Sequence, residues 1–175
     1  GKDGNMEYKW IGAILVIGGC GGFGFSLAKD AMNQERLLRQ LLENLDFMES
    51  EIQYRLTALP ELFQLCGLRS GGVLRRLFLE FSGELDKRNT PRVEQSLRTV
   101  LDRHPSVPRR IRVALYQLGK SLGRFDLPGQ LKGIESAKNC CKRELRELER
   151  NREGRLRSYR TLGLCAGAAL AVLLL

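Results

Sequence analysis

Few residues in this sequence have types and spacings that could do chemistry. Gly19-Cys20-Gly21-Gly22-Phe23-Gly24 fits the pattern G-x-G-x-x-G and follows the apolar run Ile11 to Ile17. In a dinucleotide-binding fold such glycines turn the chain tightly and bring backbone N–H groups to a pyrophosphate. The pattern also needs a second strand and an acid about 20 residues further on. Asp46 stands at about that distance, but inside a helical apolar stripe, and the chain shows no βαβ alternation. Gly119-Lys120-Ser121 matches the end of a phosphate-binding P-loop, yet the first glycine of that loop would fall where Ala114 stands, again inside a helical stripe. Of the five cysteines, Cys20 and Cys165 lie in apolar segments, Cys66 lies in an apolar run, and Cys140 and Cys141 are adjacent. Adjacency suits neither a zinc site nor an easy disulfide, so buried, idle thiols are expected. The single histidine, His104, sits in the proline turn 104–108 and is expected to face solvent. No carboxylate pair, nucleophile motif or metal-ligand spacing stands out. The sequence therefore predicts no catalytic residue, cofactor, metal or small-molecule substrate, and no enzyme.

The elements that carry these residues are apolar at both ends of the chain. Trp10 to Ala28 contains no charge, and neither does Leu162 to Leu175. A membrane-spanning helix needs roughly 20 apolar residues, with a floor near 17. The first run meets that length, and the second does so when Tyr159, Arg160 and Thr161 are included. A cleaved signal peptide would have an apolar run of about 7–15 residues and a small-residue cleavage site. The run here is longer and Ser26-Leu27-Ala28 is a poor site, so an uncleaved anchor is expected. Gly18 and Gly22 form G-x-x-x-G, as do Gly163 and Gly167. Small residues four apart let helix backbones approach closely in lipid, so all four glycines are predicted at intramembrane helix contacts.

The formal net charge is +9, which suggests an anionic partner surface. The basic residues are mostly interleaved with acids, as in Lys142-Arg143-Glu144-Leu145-Arg146-Glu147, a pattern typical of a solvated helix face. They also crowd toward the second apolar run, with Arg150, Arg152, Arg155, Arg157 and Arg160 as a membrane-proximal cluster. Positive charge flanking a span marks its cytoplasmic side and attracts anionic lipid. The expected organisation is a short extracytoplasmic segment 1–9, a span 10–28, a cytoplasmic helical domain 29–158 and a second span 159–175.

Between the apolar runs the periodicity is helical throughout. Leu38, Leu41, Leu45, Met48, Ile52 and Leu56 recur at three- and four-residue steps in a helix from Asn33 to Thr57 that the segment Thr57 to Pro60 ends. A short helix is expected over 60–66, with Gly67, Gly71 and Gly72 in loops. Leu74, Leu77, Phe78, Phe81 and Leu85 mark the next helix, from Val73 to Asp86. Thr90-Pro91 is a good helix opening, followed by the stripe Val93, Leu97, Val100 and Leu101. Ile111, Leu115, Leu118 and Leu122 line a further helix that Gly123 stops. From Pro128 the pattern restarts with Leu131, Ile134, Cys141, Leu145 and Leu148, broken by Lys138, and is not clearly interrupted again. Arg143–Glu147 and Glu153–Arg157 are expected four-apart ion pairs. The fold class is thus all-α: a small bundle of about five to six helices between an N-terminal and a C-terminal transmembrane helix, the first and last helices long.

Lys9-Trp10-Ile11-Gly12-Ala13, the run Arg36 to Tyr54, the run Leu118 to Glu135 and the run Tyr159 to Leu175, in that order and spacing, resemble the stage III sporulation protein AB family. The resemblance covers nearly the whole chain from Met6 onward; the first apolar run is richer in glycine than the family's usual anchor. It implies a component of the transenvelope complex that links mother cell and forespore in endospore-forming bacteria, located in the mother-cell-derived membrane around the forespore. It further implies a helical domain like the cytoplasmic domains of the platform proteins of type II secretion and type IV pilus machines. The implied partners are the other membrane subunits of the complex, the lipid bilayer and a secretion-type ATPase, stage III sporulation protein AA. The family has no catalytic residues to carry over. The functional expectation is a non-enzymatic platform or docking subunit. The alternative is a membrane-anchored basic protein binding anionic lipid or nucleic acid, but a nucleic-acid binder interleaves aromatics for stacking, and Lys138 to Arg160 holds only Tyr159.

Overall fold

The structure is a computed structural model that describes residues 3–87, 93–123 and 126–174. Six α-helices follow one another: α1 (Asp3–Ser50), continued by a π-helical turn at Glu51–Arg55, then α2 (Leu59–Arg69), α3 (Gly72–Lys87), α4 (Val93–Arg103), α5 (Arg109–Leu122) and α6 (Leu127–Leu174). The described residues contain no strand. The all-α bundle expected from periodicity is therefore present, and its first and last helices are the long ones, 48 residues each.

The expected transmembrane helices are not. Among the described residues no helix is long and apolar enough to cross a membrane, which overturns the multi-span membrane localisation. Leu162 to Leu175 alone is shorter than the roughly 17 residues a spanning helix needs. In the first run, Gly12, Gly18, Gly19, Gly21, Gly22 and Gly24 bring no side-chain area into an apolar phase.

The chain divides into two compact units, Gly1–Arg36 and Leu37–Leu175. In the first, Trp10, Ile11, Ile14, Leu15, Phe25 and Met32 are exposed. A Cβ added at Gly18 or Gly22 would meet nothing within 4 Å among the described residues. Gly163 and Gly167 lie outside the residues whose surroundings are described.

The second unit holds the core. Leu38, Leu41, Leu45 and Met48 of α1 and Ile52 of the π-turn are all buried. Leu56, expected to continue that stripe, is exposed and adopts φ 54°. The π-turn takes an extra residue per turn and shifts the phase, and the left-handed residue after it ends the helix. Two predicted loops also move. Gly67 lies inside α2 rather than in a loop: a Cβ there would come within 2.7 Å of Leu79 Cγ, so its hydrogen is what lets α3 close on α2. The turn between the two helices is Ser70-Gly71, and Gly72 has φ 58°. Asn44 Nδ2 ties that turn to α1 through Ser70 Oγ at 2.9 Å and the Gln40 carbonyl at 2.8 Å. Phe63 of α2 packs against Phe78 and Phe81 of α3.

The inward residues expected on α3, α4 and α5 are all buried, while Thr90 and Pro91 lie outside the described residues. The turn between α4 and α5 is fastened by Arg112. Its guanidinium donates to the carbonyls of Leu101 at 2.7 Å, His104 at 2.8 Å and Val107 at 3.3 Å, so it caps the last turn of α4 from the first turn of α5. Arg112→Ala should cost about 1.5–3 kcal/mol, the range for hydrogen bonds to a charged donor. Arg112→Lys should recover only part of it, because one ammonium cannot span three carbonyls. Urea denaturation of the three proteins checks both statements.

Cys141, Ile134, Ala137 and Leu145 set α6 into the core. Lys138, which interrupts their spacing, reaches Asp46 and Glu49 of α1 at 2.7 Å each, and the two carboxylates hold its ammonium above the usual lysine range. Gly133 of α6 is buried against Ser121 of α5.

Candidate functional site on the last helix

The residues singled out for chemistry turn out to build the fold. Residues 19–24 lie within α1, without the turn that a pyrophosphate loop needs. Gly119-Lys120-Ser121 lies within α5. There Gly119 faces Leu97, whose Cδ2 would stand 2.8 Å from an added Cβ, and Ser121 faces Gly133. Both are contact positions between helices. Cys66, Cys140 and Cys141 are buried free thiols, and Cys165 is exposed and free. Burial pushes the thiols of Cys66 and Cys141 up to about 12, so both stay protonated and non-nucleophilic near neutrality.

His104 does not face solvent freely, as expected from its turn. Its side chain is 20% exposed and its Nε2 stands 2.6 Å from Glu80 Oε2. Arg103 Nη1 joins at 2.9 Å from Glu80 and 3.2 Å from Glu84, closing the α3–α4 seam. The hydrogen bond from Arg103, then that from His104, holds the Glu80 carboxyl below the usual value of 4.5. A lowered carboxyl stabilises the fold fully above its unfolded pKa and loses that contribution as pH falls through the lower folded value. Glu80→Gln should therefore lower the urea midpoint at pH 7 and flatten its fall as the pH drops through and below the usual carboxylate range.

The feature with no role inside the fold is the outward face of α6. At about 3.6 residues per turn, Arg143, Arg150 and Arg157 follow one another at two-turn steps. Lys132 and Arg146 lie on the adjacent row, with Lys142 at its edge. All six are exposed, on the side opposite Ile134, Cys141 and Leu145. Of the five acids of α6, exposed Glu135 and Glu153 stay on this face, and the other three are drawn to neighbouring helices. Glu144 and Glu147 both pair with Arg110 of α5, the latter at 3.3 Å. Glu149 pairs with Arg39 of α1 at 3.4 Å. The expected pairs Arg143–Glu147 and Glu153–Arg157 are absent among the described residues. None of the six cations has an ion-pair partner there. Like charges three and four apart, as in Arg143–Arg146–Arg150, each destabilise a helix by a few tenths of a kcal/mol.

The predicted basic cluster is thus split. Arg150 and Arg157 join this face, and exposed Arg152 and Arg155 occupy the phase of the core stripe beyond Leu148. Arg160 lies outside the residues whose surroundings are described. The sequence reading counted Lys142, Arg143 and Arg146 among the basic residues that crowd toward the second apolar run, but it left out Lys132 and did not separate acids from bases by helical phase. Plotting α6 at the helical period separates the two signs, and that signal was available.

Comparisons with known proteins agree on one family. The family model described as Stage III sporulation protein AB matches residues 9–175. Stage III sporulation protein AB of Bacillus subtilis (strain 168) is 30% identical over 170 residues, covering 95% of this chain and 99% of the relative. A solved structure of a Stage III sporulation protein AB is similar with a TM-score of 0.60 at 30% identity, covering 70% of this chain and 98% of that one.

Proposed function

The chain belongs to the stage III sporulation protein AB family, and from that premise we propose that it is a non-enzymatic docking subunit of the sporulation complex, coupled to a secretion-type ATPase, stage III sporulation protein AA. The docking part is assigned to the helical segment 29–158. One observation carries the reading beyond the family name: the outer face of α6 gathers six cations that the fold itself leaves without partners. Uncompensated charge on a rigid element suits a binding surface, because complementary charge speeds encounter and fixes register. The likeness to secretion platform proteins that the family resemblance implies is what suggests an ATPase as one of the subunits that dock.

The test is photocrosslinking in sporulating cells, with photoreactive residues in place of Arg146 on α6, Arg75 on α3 and Gln117 on α5, all exposed. Crosslinks to the ATPase or to other subunits of the complex are expected. Absence of any such crosslink from all three faces, with the protein present at normal level, would refute the reading.

A further inference from the structure

We propose that the outer face of α6 seats an acidic α-helix of a partner protein, laid along α6 with its carboxylates opposite Arg143, Arg146, Arg150 and Arg157. The inference rests on the docking reading and adds the chemistry of what docks.

Three observations select this occupant. The cations follow the helical period. Arg143 to Arg157 covers about 21 Å at 1.5 Å per residue, in steps of three, four and seven residues. A second helix offering Glu or Asp at the same steps meets all four in one register, as charged flanking positions do in paired helices. The residue type fits as well: all four positions are arginine, whose planar fork takes a carboxylate in two parallel hydrogen bonds. Finally, exposed Glu135 and Glu153 interrupt the same face. A lipid sheet or a nucleic-acid backbone is uniformly anionic and meets those two carboxylates with repulsion, whereas a protein helix can place a lysine opposite each. The face also lacks the aromatic side chains on which bases stack. A second copy of this chain is a poor occupant, because Glu144, Glu147 and Glu149 are already engaged by Arg110 and Arg39.

The experiment uses the full chain and a fluorescent, end-capped peptide of about four helical turns carrying Glu at steps of three, four and seven. A scrambled peptide of the same composition, a short duplex DNA and phosphatidylglycerol vesicles are the comparison ligands. The ordered peptide should bind at least about tenfold more tightly than the scramble, an advantage expected of several aligned exposed ion pairs, and should weaken with added salt. Arg146→Glu with Arg150→Glu should abolish the advantage, and a peptide with Lys in place of only the two Glu opposite positions 146 and 150 should restore binding to that variant. Arg146→Gln with Arg150→Gln should give an intermediate loss, and guards against a folding defect in the charge reversal. Equal binding of ordered and scrambled peptides, or tighter binding of DNA or vesicles, overturns the proposal. In sporulating cells the outcomes separate cleanly. If a photoreactive residue in place of exposed Lys142 still crosslinks the charge-reversed protein to its complex, the acidic-helix proposal fails and the docking reading stands. If the native protein yields no crosslink from any face, the docking reading itself fails.

Discussion

Replacement of Phe63 by alanine is expected to remove about 3–5 kcal/mol of folding stability, the usual range for a fully buried phenylalanine. The ring is 1% exposed. Its centroid lies 4.5 Å from that of Phe81, with the planes at 77°, and 5.9 Å from that of Phe78. Edge-to-face contact adds about 0.5–1.5 kcal/mol to what area burial supplies. The alanine variant loses both and leaves a void between α2 and α3. A domain of this size has about 5–15 kcal/mol in hand, so the variant should sit near the edge of folding at growth temperature. Denaturant titration should show a large fall in midpoint with little change in slope. Phe63→Leu, which keeps most of the volume, should lose less than half as much. A wild-type midpoint for Phe63→Ala would mean that the α2–α3 pair is not coupled to the rest of the bundle.

The second large effect is expected at Gly133. A Cβ at this position would fall within the Ser121 side chain and 3.2 Å from its Cα. These atoms belong to or adjoin the backbone of α5, so no rotamer change relieves the overlap, and the two helices must move apart. Overpacking usually costs about 1–3 kcal/mol and occasionally more. Gly133→Val should reach the top of that range or exceed it, and Gly133→Ala should fall within it. Ser121→Gly with Gly133→Ala should recover much of the loss, since the two positions share one contact and coupled pairs deviate from additivity by about 0.5–3 kcal/mol. Thermal denaturation of the single and double variants measures the coupling. Additive losses would show that the α5–α6 crossing is set elsewhere.

Gly133 also marks where the sequence stopped being legible. The apolar stripes on α1, α3, α4 and α5 could be followed because burial repeats with the helical period, and that period is local. What could not be followed depended on a residue far along the chain. Gly67 looked like a loop glycine until Leu79 occupied the space beside it. Leu56 looked like one more core position until the π-turn changed its phase. His104 looked exposed because Glu80 lies 24 residues away. The candidate site behaved in the same way. Its arginines were visible in the sequence, but their isolation depends on Arg110 and Arg39 drawing Glu144, Glu147 and Glu149 to other sides of α6. The membrane expectation had a different origin. It weighed freedom from charge in the two terminal runs, whereas transfer to lipid depends on apolar side-chain area, which glycine does not supply.

The pairing of Lys138 with Asp46 and Glu49 sets a timetable for synthesis. Lys138 and Glu49 are 89 residues apart, and Arg39 and Glu149 are 110 apart. At about 5–20 residues per second, α1 leaves the ribosome on the order of ten seconds before its partners on α6. The α2–α3 pair can assemble early, because its contacts are close in sequence and short loops close fast. The side of α1 that receives α6 has no such local substitute. During that interval the nascent chain carries acidic Asp46 and Glu49 without their lysine, beside an apolar stripe awaiting α6. Ribosome-bound chains arrested before Lys138 should therefore be the species that chaperones hold longest.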